Sequence, residues 1–418
     1  MTDIENPMLD AAKKKKRLFV ATIVSLCVLY VLMAARPLSR EIHFVPVWTI
    51  DADNSTRTER LSIKEKQDLA EKSAKTPPAS GDEGAADAAD AEAGENQASG
   101  TPAPSSVVDV ADVPSELFAD SIPFKLGQLV GYFTKNGRML SRVTFPFKAS
   151  VSPLHYSIYE THSAKIPVYS PNGELVTEIK QTGFPYFAGD KIFMFLPGGS
   201  SFSKISDGGD VLWTYEGRAP ITAFSSSRDG LLAGFADGRM ISFDKDGNNV
   251  LEFVPGGSDY PVILGAGISN SGNYLAAISG HSNQRFVLAE KKGDRAKIIF
   301  HKEFDNELSR QMLVKFRQDE SAVYYSCSDG LGVVNCRSLE SSVIPLEGDI
   351  LSIQEDEDGT VFVLSKDDSS YSVSVIEAYN VYSGSFSFDA EAAFMSVKDG
   401  SLFVGHDSKI SRIDIQRK

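Results

Sequence analysis

The chain has little of what metal centres, disulfide scaffolds and most catalytic sites are built from. Its 418 residues include 3 cysteines, 6 histidines and 2 tryptophans. Three cysteines cannot staple a domain of this length. Cys27 sits inside an apolar run, so only Cys327 and Cys336 remain as a candidate disulfide, flanking an Asp329-Gly330 turn. A turn centred there sets Cys327 opposite Gly332 rather than Cys336, and two buried thiols are the competing expectation. The histidines, at 43, 155, 162, 281, 301 and 406, have no ligand spacing, so no zinc or iron site is expected. No cofactor is expected either.

Serine is plentiful, yet no Gly-x-Ser-x-Gly elbow occurs; Gly267–Gly272 only approximates one. His406-Asp407 reads as a solvated turn. Asp356, Asp358, Asp367 and Asp368 lack the loop pattern of a calcium site. The two Pro-Gly-Gly-Ser stretches, at 197–200 and 255–258, lead into no helix and read as turns rather than phosphate cradles. No enzyme activity is expected. With a net charge of −14, the chain is also a poor match for nucleic acid.

What is present is a rhythm. Turn signals at Pro153, Asp190, Asp229-Gly230, Ser271-Gly272, Asp319-Glu320, Asp358-Gly359 and Asp399-Gly400 follow one another at 37, 39, 42, 48, 39 and 41 residues. A period near forty with short apolar runs between turns signals stacked repeat units, most commonly the blades of a β-propeller. The unit at 221–254 is the clearest. Three apolar runs end in Asp229-Gly230, Asp237-Gly238 and Asp246-Gly247, and a fourth, Val250–Val254, follows. Four strands make one blade.

This unit resembles a WD-repeat blade: first strand, Asp-Gly turn, small-residue strand Leu232–Phe235, second Asp-Gly turn, then Ile241-Ser-Phe-Asp244 where that family often has Trp-Asp. Weaker copies occupy 267–278, 350–364 and 393–405, and the resemblance covers residues 127–418. There is no Trp-Asp pair and no Gly-His at the blade starts. It implies an all-β, seven-bladed ring, with eight as the fallback. The last unit ends after the runs Leu402–Gly405 and Ile410–Ile415. The second arm of the hairpin Leu129–Val143, turning at Asn136-Gly137, is expected to supply its missing outer strand, because a propeller ring leaves no long edge open; the hairpin's first arm competes with Ile410–Ile415 for the third-strand place. Quinone-dependent dehydrogenase propellers carry an inter-blade tryptophan in most blades; this repeat region has only Trp213.

Ahead of the repeats, Lys13-Lys14-Lys15-Lys16-Arg17 precedes the uncharged run Leu18–Ala35. Eighteen helical residues span roughly 27 Å, close to a bilayer core. The run is therefore expected to be a single uncleaved anchor. The basic cluster places residues 1–17 in the cytoplasm and the propeller in the periplasm or outside. Segment 36–74 follows, in which Trp48 suits either a membrane interface or a short strand. Residues 75–120, rich in Ala, Asp, Glu, Pro and Ser, are expected to be a flexible tether of roughly 35 Å root-mean-square reach. The propeller is expected over 121–418. The plan is similar to that of the propeller lipoprotein of the outer-membrane barrel-assembly machinery. It implies a scaffold at the inner membrane that binds other envelope proteins. A carbohydrate- or peptide-binding sensor, or a hydrolase, with its site at the channel mouth is the alternative.

Overall fold

A computed structural model describes residues 19–26, 42–53 and 116–417. Lys13–Arg17 and the linker up to residue 115 lie outside them. Of the expected anchor, residues 19–26 are described, as helix with Phe19, Val20, Ile23, Val24 and Leu26 exposed. Among the described residues no helix is long and apolar enough to cross a membrane.

The rest is strand. Eight antiparallel sheets form, seven of four strands and one of three. With the blades numbered 1 to 8 in chain order from Ile122, blade 4 spans Ile221–Phe253, and its second and third strands, Leu231–Phe235 and Met240–Phe243, are buried at every position. Outer strands such as Val211–Glu216 are partly or fully exposed throughout. This is the gradient expected of sheets stacked on both faces with one edge in solvent. First strands touch between blades 2 and 3, 4 and 5, 5 and 6, and 7 and 8, so they line the inner wall.

The core is divided. Eight buried clusters each straddle one seam between neighbouring blades, and together they run right round the ring. Between blades 5 and 6, for example, Ile278, Phe286 and Leu288 meet Phe316, Val323 and Tyr325.

Seven blades is therefore corrected to eight. The seven turn signals fall between the first and second strands of blades 2 to 8. Blade 1 has three strands among the described residues: Ile122–Leu126, Leu129–Phe133 and Met139–Thr144. They run in the directions of strands 2, 3 and 4 elsewhere. The chain enters blade 1 where Lys398, at the end of blade 8's first strand, donates to Asp120 O at 3.0 Å. Without a first strand there is no first turn, and the rhythm skips this blade.

The hairpin 129–143 thus belongs to blade 1 and does not close the ring. Closure comes from Ile42–Asp51, which pairs antiparallel with Lys409–Arg417 as the outer strand of blade 8. Pro46 is tolerated because it lies on an edge strand, next to a register shift between Pro46 and Trp48.

Trp48 accordingly sits in a seam, between Phe403 at 6.0 Å and Phe133 at 6.2 Å. Its indole N–H donates to Lys135 O at 3.2 Å in the following blade's turn. Trp213 does the same from blade 3 to Lys245 O in blade 4, also at 3.2 Å. Ser141 to Pro171 O and Thr177 to Gly208 O, both 2.8 Å, fill the equivalent places between. Each receiving turn carries a glycine, Gly137, Gly173, Gly209 or Gly247, at φ between 82° and 84°. A Cβ on Gly247 would fall 2.5 Å from the Trp213 ring, so the turn glycine is needed for both φ and approach.

The Cys327–Cys336 bridge is not formed; both thiols are free. The turn is centred one residue earlier than Asp329-Gly330, at Ser328-Asp329, so Cys327 pairs with Gly330. Cys336 lies one residue past the paired run and donates its N–H to Ser321 O at 2.9 Å. Both thiols pack in the seam between blades 5 and 6, where burial pushes Cys336 up to about 12.

Candidate functional site

The ring has two unlike faces. The front carries the first-to-second and third-to-fourth turns. The back carries the second-to-third turns and the linkers between blades. On the front, side chains tie blades 5, 6, 7 and 8 to one another at or next to their first turns. Asn270 donates to Gln318 O at 3.0 Å, Gln318 N–H to Glu355 at 2.7 Å, and Gln354 brackets blade 8 through Met395 O and Val397 N–H.

A cavity of about 420 Å³ opens on this front face where blades 6, 7 and 8 meet. Arg317, Asp358, Thr360, Glu377 and Arg417 line it. Arg417, at the end of blade 8's third strand, reaches across to blade 7. It meets Glu377, Asp358 at 3.2 Å and Thr360 Oγ1 at 2.9 Å. Arg317 lies 3.1 Å from Glu355 and 3.5 Å from Asp319. Burial alone would push Asp358 up; the Thr360 N–H and hydroxyl and the Arg417 guanidinium outweigh it and hold the carboxyl below its ordinary value. Arg417 and its partners therefore satisfy one another, and that set works as a latch across the blade 7–8 seam, whereas the buried Arg317 Nε is ion-paired to Glu355 without a hydrogen bond.

That assignment is testable. Arg417→Gln should cost about 1 kcal/mol, since the pairs are partly solvated. Because the folded-state value of Asp358 is depressed, the latch is fully present above the carboxyl's unfolded value near 4 and is lost as pH falls through the folded one. Thermal melts of both proteins at pH 7 and pH 3 should show their difference shrinking in acid.

The second feature is apolar. Leu175 and Val176 open the outer strand of blade 2, and Val211 and Leu212 open that of blade 3; all four are between 44% and 57% exposed. The Thr177–Gly208 hydrogen bond joins the two places, so the pairs share one stretch of rim. Sequence reasoning missed this rim, although both pairs directly follow the repeated turn glycines 173 and 209. It also missed Arg417. The aromatic run Phe184–Phe195 is mostly seam, with Tyr186 packed against Phe195 and Phe224. The histidines do not converge; His155 lies tilted against Phe187 and His406 against Phe388. Among the described residues no three His, Cys, Asp or Glu side chains gather as a metal site would require.

A family described as beta-propeller protein matches residues 8–83 and 93–418. The chain belongs to this family. As a beta-propeller protein it is also similar to a chain of Treponema pallidum (strain Nichols), described as an uncharacterized protein. The two are 29% identical over 405 residues, covering 96% of this chain and 95% of the other. Among solved structures, the crystal structure of BamB from Moraxella catarrhalis superposes with a TM-score of 0.52 at 15% identity. It covers 71% of this chain and 94% of that one. At that identity the likeness shows the fold alone.

Proposed function

We propose that this beta-propeller protein is a membrane-anchored, extracytoplasmic interaction module whose exposed rim binds other envelope proteins. The observation that carries the reading is the solvated rim of Leu175, Val176, Val211 and Leu212. Apolar side chains grouped outside a core mark binding surfaces. The anchor rests on the uncharged run Leu18–Ala35, and the orientation on Lys13–Arg17. The likeness in fold to BamB is compatible with a scaffold but supplies no partner.

The alternative, a ligand-binding or hydrolytic site at the channel mouth, has the front cavity as its best support. That cavity lies at a seam between turns, and its arginines and carboxylates are already paired with each other. The rim is the stronger feature.

Replacing Leu175 and Val211 together by serine should leave the melting temperature nearly unchanged, because neither side chain is buried. Crosslinked capture from native membranes should then lose most of the envelope proteins recovered with the unaltered protein. Undiminished recovery would move the binding surface elsewhere.

A further inference from the structure

The position of Ile42–Asp51 in blade 8 changes what the N-terminal run can hold. Ile42 pairs with Arg417, whose side chain reaches the front-face turns of blade 7 at Asp358 and Glu377. The other end of the strand lies on the back, where Ala52 N–H donates to Ser408 O at 2.7 Å and Ala52 O accepts from Arg142. The chain thus enters the ring at the front edge of blade 8 and leaves it at the back. It re-enters at Glu116–Ala119, next to Lys398 on the front. Residues 54–115 therefore join two points of the propeller itself. They do not lie between the apolar run and the ring.

We infer that the propeller is held with its front edge at blades 7 and 8 against a lipid bilayer surface. This rests on the anchor reading above. Between Ala35 and Ile42 only residues 36–41 intervene, which span at most about 25 Å. That length is too short to let the head swing freely, and it starts from the front edge. The acidic, alanine-rich segment that reads as a membrane tether sets no distance from the membrane. The front cavity and the Arg417 latch face the bilayer side, and the blade 2–3 rim lies away from the attachment point.

The test uses the full-length protein in liposomes bearing an acceptor dye on their headgroups. A fluorescent amino acid replaces Glu357 on the front or Lys409 on the back, both exposed. Energy transfer should be higher from position 357. Deleting residues 75–106 should leave that difference intact. Inserting a flexible stretch of about 40 residues after Pro37 should abolish it, since that adds some 35 Å of reach. Equal or reversed transfer in protein that resists alkaline extraction would overturn the orientation and leave the anchor standing. Release of the protein by alkaline extraction would overturn both.

Discussion

A chain starting at residue 116 is expected to lose the cooperative melt that a chain starting at residue 36 retains. Residues 42–51 serve two seams at once. Ile42 and Phe44 pack into the cluster between blades 7 and 8, with Phe44 edge-on to Phe386 at 4.8 Å. Trp48 and Ile50 pack into the cluster between blades 8 and 1. Losing four large apolar side chains and one paired strand removes on the order of 5 kcal/mol or more, comparable to the whole stability of many domains. Calorimetry should show a broad or absent transition for the shorter chain, and size exclusion should show association through the exposed edge of blade 8. A full-height transition from residues 116–418 alone would mean that the strand adds to the ring without closing it.

The second large effect is expected at Gly332. It pairs directly across from Tyr325, whose ring lies over the glycine. A Cβ there would fall 2.1 to 2.6 Å from three ring atoms. The ring has no room to retreat, since Phe286 stacks on it at 4.0 Å and Phe304 at 5.9 Å. Gly332→Ala should therefore cost about 3 kcal/mol, the upper end for overpacking. In a propeller of this size that corresponds to roughly 5 °C in Tm. Adding Tyr325→Leu should recover part of the loss, because the two changes act on one contact. An unchanged Tm for Gly332→Ala would show that the stack can slide.

The same local chemistry explains what the sequence made legible. Seven first turns stood out because turns favour Gly, Asp, Asn or Pro, and the first turns of blades 2 to 8 each carry one. Blade 1 announces itself through a different series. Gly137, Gly173, Gly209 and Gly247 recur at 36, 36 and 38 residues, each three places after Thr134, Ser170, Ser206 or Asp244. Those four residues close equivalent turns, so that series places 129–143 in register with the following blades. Ring closure was not legible. Ile42–Asp51 meets its partner some 360 residues away, and no local signal fixes such a pairing. Its Pro46 and irregular burial also weaken the alternating pattern of a strand. The role of Trp48 follows only once that pairing is known. The cysteine register failed by a single turn residue, enough to separate the thiols. The blade 2–3 rim escaped because exposure on an outer strand depends on what the ring leaves uncovered.

Closure by the N-terminal strand is the claim on which the orientation and the largest stability effect both depend. Thr49 and Ser411 face each other across that pairing, with their hydroxyl oxygens 2.8 Å apart. A Thr49→Cys, Ser411→Cys protein carrying Cys27→Ser should form a disulfide in high yield under mild oxidation. The product should run anomalously on a non-reducing gel and melt at least as high as the reduced form. A folded protein whose two thiols stay free under the same conditions would contradict the closure of the ring by residues 42–51.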